Sequence, residues 1–169
     1  LYAKHLKHHC DLALLCTFGL HGGMQEWEGI PVFPGGADAF ANDVIPKAAQ
    51  AWKADIVITL KDTAVFHPQT FQGLRWMPFV PVDHDPTPPS VIERARGSYR
   101  PVAYAPHGFR ALRTAGLDPL YVPPAYDPAP FFPVPQAEAR ATLNLSPDLF
   151  IIGTCAVNRG GIPSRKSWV

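Results

Sequence analysis

Short apolar runs alternate along this chain with stretches whose apolar positions recur every three or four residues, a pattern that predicts strands separated by helices. Residues 12–18 read as a buried strand and residues 30–33 as a second, shorter one. From 38 to 53 the apolar pairs Phe40/Ala41, Val44/Ile45 and Ala48/Ala49 lie four apart and end at Trp52, which marks one face of a helix. Pro46 fits that helix if Asn42 is its N-cap, because a proline in the first turn loses no hydrogen bond. Residues 56–60 (Ile-Val-Ile-Thr-Leu) are the clearest strand, short and β-branched. Residues 79–82 are a weaker strand whose Pro81 suggests an edge or an end. A helix runs from the Thr87 cap to Arg96, with Gly97 as its stop. A strand follows over 101–105, then a helix over 107–115 closed by Gly116, then a strand over 120–122.

Six prolines between 121 and 135 read as a stiff connector. Beyond them the pattern predicts a helix over 136–143 and a strand over 149–155. The order is β-β-α-β-β-α-β-α-β, connector, α-β. Such alternation with short loops implies an α/β fold, a Rossmann-like, mostly parallel sheet with flanking helices, followed by the start of a second domain of that kind. Right-handed crossovers bring the carboxyl ends of the strands to one edge, and ligands of open α/β sheets bind outside that edge.

Composition narrows the class of function. The 169 residues carry 15 Lys plus Arg and 14 Asp plus Glu, a net charge of +1. That balance gives no electrostatic case for nucleic acid or an anionic membrane. No run approaches the ~18 apolar residues of a membrane span. Cys10, Cys16 and Cys155 form no CxxC, and their odd number suits reduced thiols and a cytoplasmic setting. The chain starts at Leu1 rather than Met and stops at Val169 with no element completed, so it is expected to be a fragment of a longer protein.

Candidate chemistry lies just after the strands. Gly22 and Gly23 follow the first, Lys61 and Asp62 follow residues 56–60, Asp83-His84-Asp85-Pro86 follows 79–82, and His107 follows 101–105. A histidine flanked by carboxylates can be oriented and can exchange protons near pH 7, although Asp-Pro is also ordinary turn chemistry. Asn158 and Arg159 with Arg165 and Lys166 put cations beside Gly160 and Gly161, a combination that suits a diphosphate and equally a solvated basic loop. His5, His8, His9 and Cys10 lack a further ligand at matching spacing, so no metal is expected. No P-loop, nucleophile elbow or GxGxxG is present.

The order of these pieces resembles bacterial glycosyltransferases of the GT-B fold, of the group 1 or family 4 type. The resemblance is carried by Gly29-Ile30-Pro31-Val32-Phe33-Pro34-Gly35, by the stretch Ala54 to Asp62, by Pro81-Val82-Asp83-His84-Asp85-Pro86, and by Arg100-Pro101-Val102-Ala103-Tyr104. Leu120-Tyr121-Val122-Pro123 and Pro163-Ser164-Arg165-Lys166 complete it. It implies two Rossmann-like domains facing across a cleft: residues 1–132 as the acceptor-side domain, lacking its front, and 133–169 as the connector helix and first strand-loop of the donor-binding domain. It implies a nucleotide-sugar donor as substrate, a glycan or other hydroxyl acceptor, no cofactor and no metal. His84 resembles the catalytic histidine of the family's His-x-Pro segment. Arg165 and Lys166, with Asn158 and Arg159, match its donor-diphosphate contacts, while Asp62, Asp83, His107, Gly22 and Gly23 would line the acceptor side.

Three departures bear on activity, the first being that the family's glycine-rich first strand–loop is missing at the front. The connector reads Pro123-Pro124-Ala125-Tyr126-Asp127 where the family carries Pro-His-Gly-Val-Asp, and the Glu-x7-Glu donor motif is absent. The resemblance therefore implies that the chain as given does not itself catalyse transfer. Two other readings stay open, a non-catalytic sugar- or nucleotide-binding module and another α/β nucleotide-sugar enzyme such as an epimerase.

Overall fold

The computed structural model describes residues 2–17 and 19–153. The chain divides into two compact units, Leu1–Tyr126 and Asp127–Val169. The first unit holds two sheets. In one, β1 (Leu14–Leu15) pairs in parallel with β3 (Ile30–Phe33), which also pairs antiparallel with β2 (Gln25–Trp27). In the other, β4 (Val57–Leu60), β5 (Trp76–Phe79), β6 (Val102–Ala103) and β7 (Leu120–Tyr121) are all parallel and lie side by side in chain order. The α/β, Rossmann-like expectation holds. The expectation of one continuous sheet does not, because β1 and β4 share no ladder; an apolar run signals a strand but not which neighbour it will bond.

The hydrophobic pattern also misplaces one strand. The reading over 79–82 gives way to Trp76–Phe79, since Trp76 is the large side chain that seeks the core and Val57 to Leu60 pair in register with it and the next three residues. That strand contains Pro78. Trp76 accepts from the Tyr99 N–H at 2.8 Å and Val80 donates to the Val102 carbonyl at 2.8 Å, so the even positions of this segment face β6. Pro78 has no N–H to offer there, and the β5–β6 ladder has the single pair Phe79/Val102.

A parallel sheet whose strands follow in chain order, joined by right-handed crossovers, carries its connections on one face. The packing agrees. Trp76, Pro78 and Val80 share a face with Val57 and Thr59. Against it pack α2 (Ile45–Trp52) and two 3₁₀ turns, Thr63–Val65 and Pro68–Phe71, through Ile45, Phe66 and Phe71. Farther along, α3 (Pro89–Arg96) and α4 (Pro106–Thr114) bring Ala95 and Leu112 onto Val80 and Ala103. Phe71 and Trp76 stack with centroids 4.0 Å apart and planes within 2°, and the Trp76 Nε1–H donates to Thr59 Oγ1 at 2.9 Å. On the opposite face Ile58 and Leu60 are exposed, and α1 (Tyr2–Leu6) covers part of it by setting Tyr2 on Phe79.

Asn42 is not the expected N-cap. Helix α2 begins at Ile45 behind Val44, with Pro46 in its first turn, and the predicted start at 38 becomes a tight turn. The Asn42 amide is buried instead. Its Nδ2 donates to Asp38 Oδ1 at 2.9 Å and to the Val65 carbonyl at 3.1 Å; its Oδ1 accepts from the His67 N–H at 2.9 Å and from Thr70 Oγ1 at 2.8 Å. The two 3₁₀ turns, β2 and the coil ahead of β1 carry no strong period and were not legible from it. The helices over 87–96, 107–115 and 136–143 form with ends moved by a residue or two, the last as α5 (Gln136–Thr142). Residues 149–153 form no strand, and 154–155 lie outside the described residues. In the second unit Arg140 closes the turn after α5 on the carbonyls of Ser146 and Leu149. Among the described residues no helix is long and apolar enough to cross a membrane.

Asn42→Ala is expected to destabilise the fold by about 2–4 kcal/mol, because the Val65 carbonyl, His67 N–H and Thr70 hydroxyl lose a buried partner at once. Ile58→Thr, on the open face, should stay within about 0.5 kcal/mol. Urea midpoints at constant m-value distinguish the two.

Candidate functional site

The four parallel strands end side by side at Leu60, Phe79, Ala103 and Tyr121. Apolar strand interiors fix the backbone, and the first residues beyond them are free to be polar. Lys61 and Asp62 leave β4, Pro81 to His84 continue from β5, Tyr104 leaves β6, and Pro123 and Pro124 follow β7. Between them lies a groove of about 390 Å³ lined by Tyr2, Leu60, Lys61, Asp62, Phe79, Pro81, Tyr104 and Pro124. Its walls are mostly apolar with few polar groups, as small-molecule sites are. Tyr2 is held there by two contacts, its ring on Phe79 with centroids 5.7 Å apart and its hydroxyl donating to the Pro123 carbonyl at 3.3 Å.

Asp83, His84 and His107 stand at the same edge. Asp83 Oδ1 lies 2.6 Å from His84 Nδ1, and both side chains are exposed. With the proton on Nδ1, as this contact favours, Nε2 is left as the basic nitrogen. His107, in the first turn of α4, brings its Nε2 to 3.4 Å from the His84 carbonyl. Gly108 lies close against this segment: a Cβ there would meet the Val82 side chain at 3.3 Å, a tight contact that Val82 would have to yield to slightly.

Tyr104 joins the two halves electrostatically. Burial is the first cause that pushes its phenol above the ordinary tyrosine value, and the charges of Asp62 and then Asp83 add to the shift. A negative neighbour disfavours the phenolate, so the hydroxyl stays a proton donor well into the alkaline range.

Of the residues singled out from the sequence, Asp62, Asp83, His84 and His107 therefore meet at one sheet edge. Gly22 and Gly23 do not; they are exposed in the β1–β2 loop and do not line the groove. Asn158, Arg159, Arg165 and Lys166 lie outside the described residues. Tyr2, Phe79 and Tyr104 were missed as site residues. Tyr104 could have been found as the aromatic at the end of a predicted strand, whereas nothing local to Tyr2 signals a contact more than 70 residues away.

A second cavity of about 310 Å³ is lined by Asp38, Asn42, Asp43, Pro46, His67, Gln69 and Thr70. Asp38 is held below the ordinary carboxylate range by the Asn42 N–H first, then the Phe40 N–H and the Asn42 amide. Asp43 is engaged with the Ala37 N–H at 2.8 Å. These carboxylates serve the turn before α2. Among the described residues no three His, Cys, Asp or Glu side chains gather as a metal ion would require.

No protein-family model, curated protein or solved structure matches this chain. The architecture is that of a generic Rossmann-like α/β domain, not of one glycosyltransferase family in particular.

Absorbance titration of the phenols, with Tyr104→Phe to isolate the residue, should place Tyr104 above the ordinary tyrosine value of about 10. Asp62→Asn should move it back towards that value. The sign for stability follows: the fold keeps the proton longer than the unfolded chain, so this contribution is intact below pH ~10 and is lost as pH rises through the folded value.

Proposed function

We propose that this chain forms the acceptor side of a glycosyltransferase that passes a sugar, with retention, from a nucleoside diphosphate to an acceptor hydroxyl. The observation that carries the reading is the meeting of Asp62, Tyr104, Asp83, His84 and His107 beside an apolar groove at the carboxyl edge of a parallel sheet, where α/β folds take their ligands. The groove gives an acceptor an apolar bed. Tyr104 offers a hydroxyl donor and Asp62 a carboxylate acceptor for its hydroxyls. His84, oriented by Asp83, is the group assigned to catalysis: through Nε2 it holds a hydroxyl at the reacting centre in one orientation.

The donor side rests on the sequence resemblance alone. Charge builds on the departing diphosphate, and Arg165 and Lys166, with Asn158 and Arg159, are assigned to receive it; cations aimed at developing charge lower a barrier without reorganising. The free thiol of Cys10 suits a cytoplasmic enzyme.

In the complete protein, His84→Ala should lower kcat by about 10²–10⁴-fold with little change in donor KM. An unaltered kcat removes His84 from the chemistry. The Arg165→Ala/Lys166→Ala double variant should weaken nucleoside-diphosphate binding by roughly 10²-fold or more, read by calorimetry; unchanged affinity would overturn the donor assignment.

A further inference from the structure

The groove sets three aromatic rings beside a carboxylate, Asp62. Three aromatic rings run in a row through it: Tyr2 and Phe79 have centroids 5.7 Å apart, Phe79 and Tyr104 6.4 Å. Each ring presents a negative face, and a ring of this kind attracts an organic cation within about 6 Å of its centroid. Asp62 lines the same groove, and Asp83 stands close enough for its charge, like that of Asp62, to act on the Tyr104 phenol. Among the described lining residues Lys61 is the cation, and its ammonium is engaged over the Phe40 ring, 5.4 Å from the centroid. A hydroxylated ligand with no charge would use the carboxylate only as a hydrogen-bond acceptor. An anionic one would meet Asp62 and the ring faces with the wrong sign.

We infer that the groove takes a ligand bearing a protonated amine, so that the acceptor is an amino sugar. The sugar half of this statement rests on the glycosyltransferase reading; the ammonium half rests on the aromatic row and Asp62. A protonated amine on the ring places positive charge against Asp62 and the aromatic faces while the hydroxyls remain free for Tyr104 and His84.

The test is a titration of the whole chain, followed by amide and aromatic NMR shifts at about pH 6, where the amine is protonated. The probes are glucosamine, glucose, glucuronate and tetramethylammonium chloride. Glucosamine should bind about tenfold more tightly than glucose, glucuronate more weakly than either, and tetramethylammonium should move the Tyr104 and Phe79 resonances. Asp62→Asn, an exposed and isosteric change, should lower glucosamine affinity by about tenfold and narrow its advantage over glucose. Equal binding of glucosamine and glucose at these residues would overturn the ammonium inference and leave the sugar reading standing. Binding of tetramethylammonium with neither sugar would uphold the cation site and remove the sugar acceptor. Shifts with none of the probes at Asp62, Phe79 or Tyr104 would overturn both.

Discussion

The buried amide of Asn42 is the constraint on which the rest of the first unit depends. It saturates its hydrogen-bonding capacity within the protein, reaching Asp38 on its own turn and Val65, His67 and Thr70 on the crossover from β4 to β5. That crossover is built from 3₁₀ turns, which have little stability of their own. Tying them to the turn ahead of α2 holds Phe66 and Phe71 over Trp76, and so fixes the face on which β4 and β5 are covered. The arrangement is dear enough to hold Ala41 at a φ of 61°, in the left-handed region that side chains avoid. Asp62 leaves β4 immediately before the first of these turns, so its place at the groove follows from the same anchor.

Sidedness then decides where a ligand can sit. Because the four parallel strands run in chain order, their helices and 3₁₀ turns crowd one face, and α1 sets Tyr2 on the other. Tyr2 lies on that second face against Phe79, and the groove opens where the face meets the carboxyl edge. Its floor is aromatic because strand positions two apart share a face, which sets Phe79 and Leu60 to the same side as Tyr104. The chemistry that gathers there differs from that of the helical face: ring faces and carboxylates on one side, aliphatic packing of Val80, Ala95, Ala103 and Leu112 on the other.

Polar groups at this edge are coupled through the backbone rather than through one continuous hydrogen-bond chain. His107 reaches the carbonyl of His84, not its ring, where α4 packs closely against Val82 at Gly108. His84 in turn meets the carboxylate of its own neighbour, Asp83. Two loops that diverge in sequence thus share one local frame. Tyr104 is partly buried near Asp62 and Asp83, and its burial first, then the two carboxylate charges, keeps the proton on its phenol.

The sequence by itself determined helices α2 to α5, strands β1, β3, β4, β6 and β7, the parallel α/β class and the strand-end positions of Asp62, Asp83, His84 and His107. Those are properties of local period and of the rule that places polar residues just past apolar strands. Tertiary structure alone decided that β1 and β4 do not share a ladder, that the strand after the β4–β5 crossover is Trp76–Phe79, and that Asn42 holds two turns together instead of capping a helix. It alone brought Tyr2 to Phe79 and kept Gly22 and Gly23 away from the groove. The reason is physical. Period reports which face of an element is apolar, while partner choice depends on burying the largest side chain and satisfying buried amides across dozens of residues. A stretch such as Thr63–Phe71, which has no period, takes its form only from the contacts it meets.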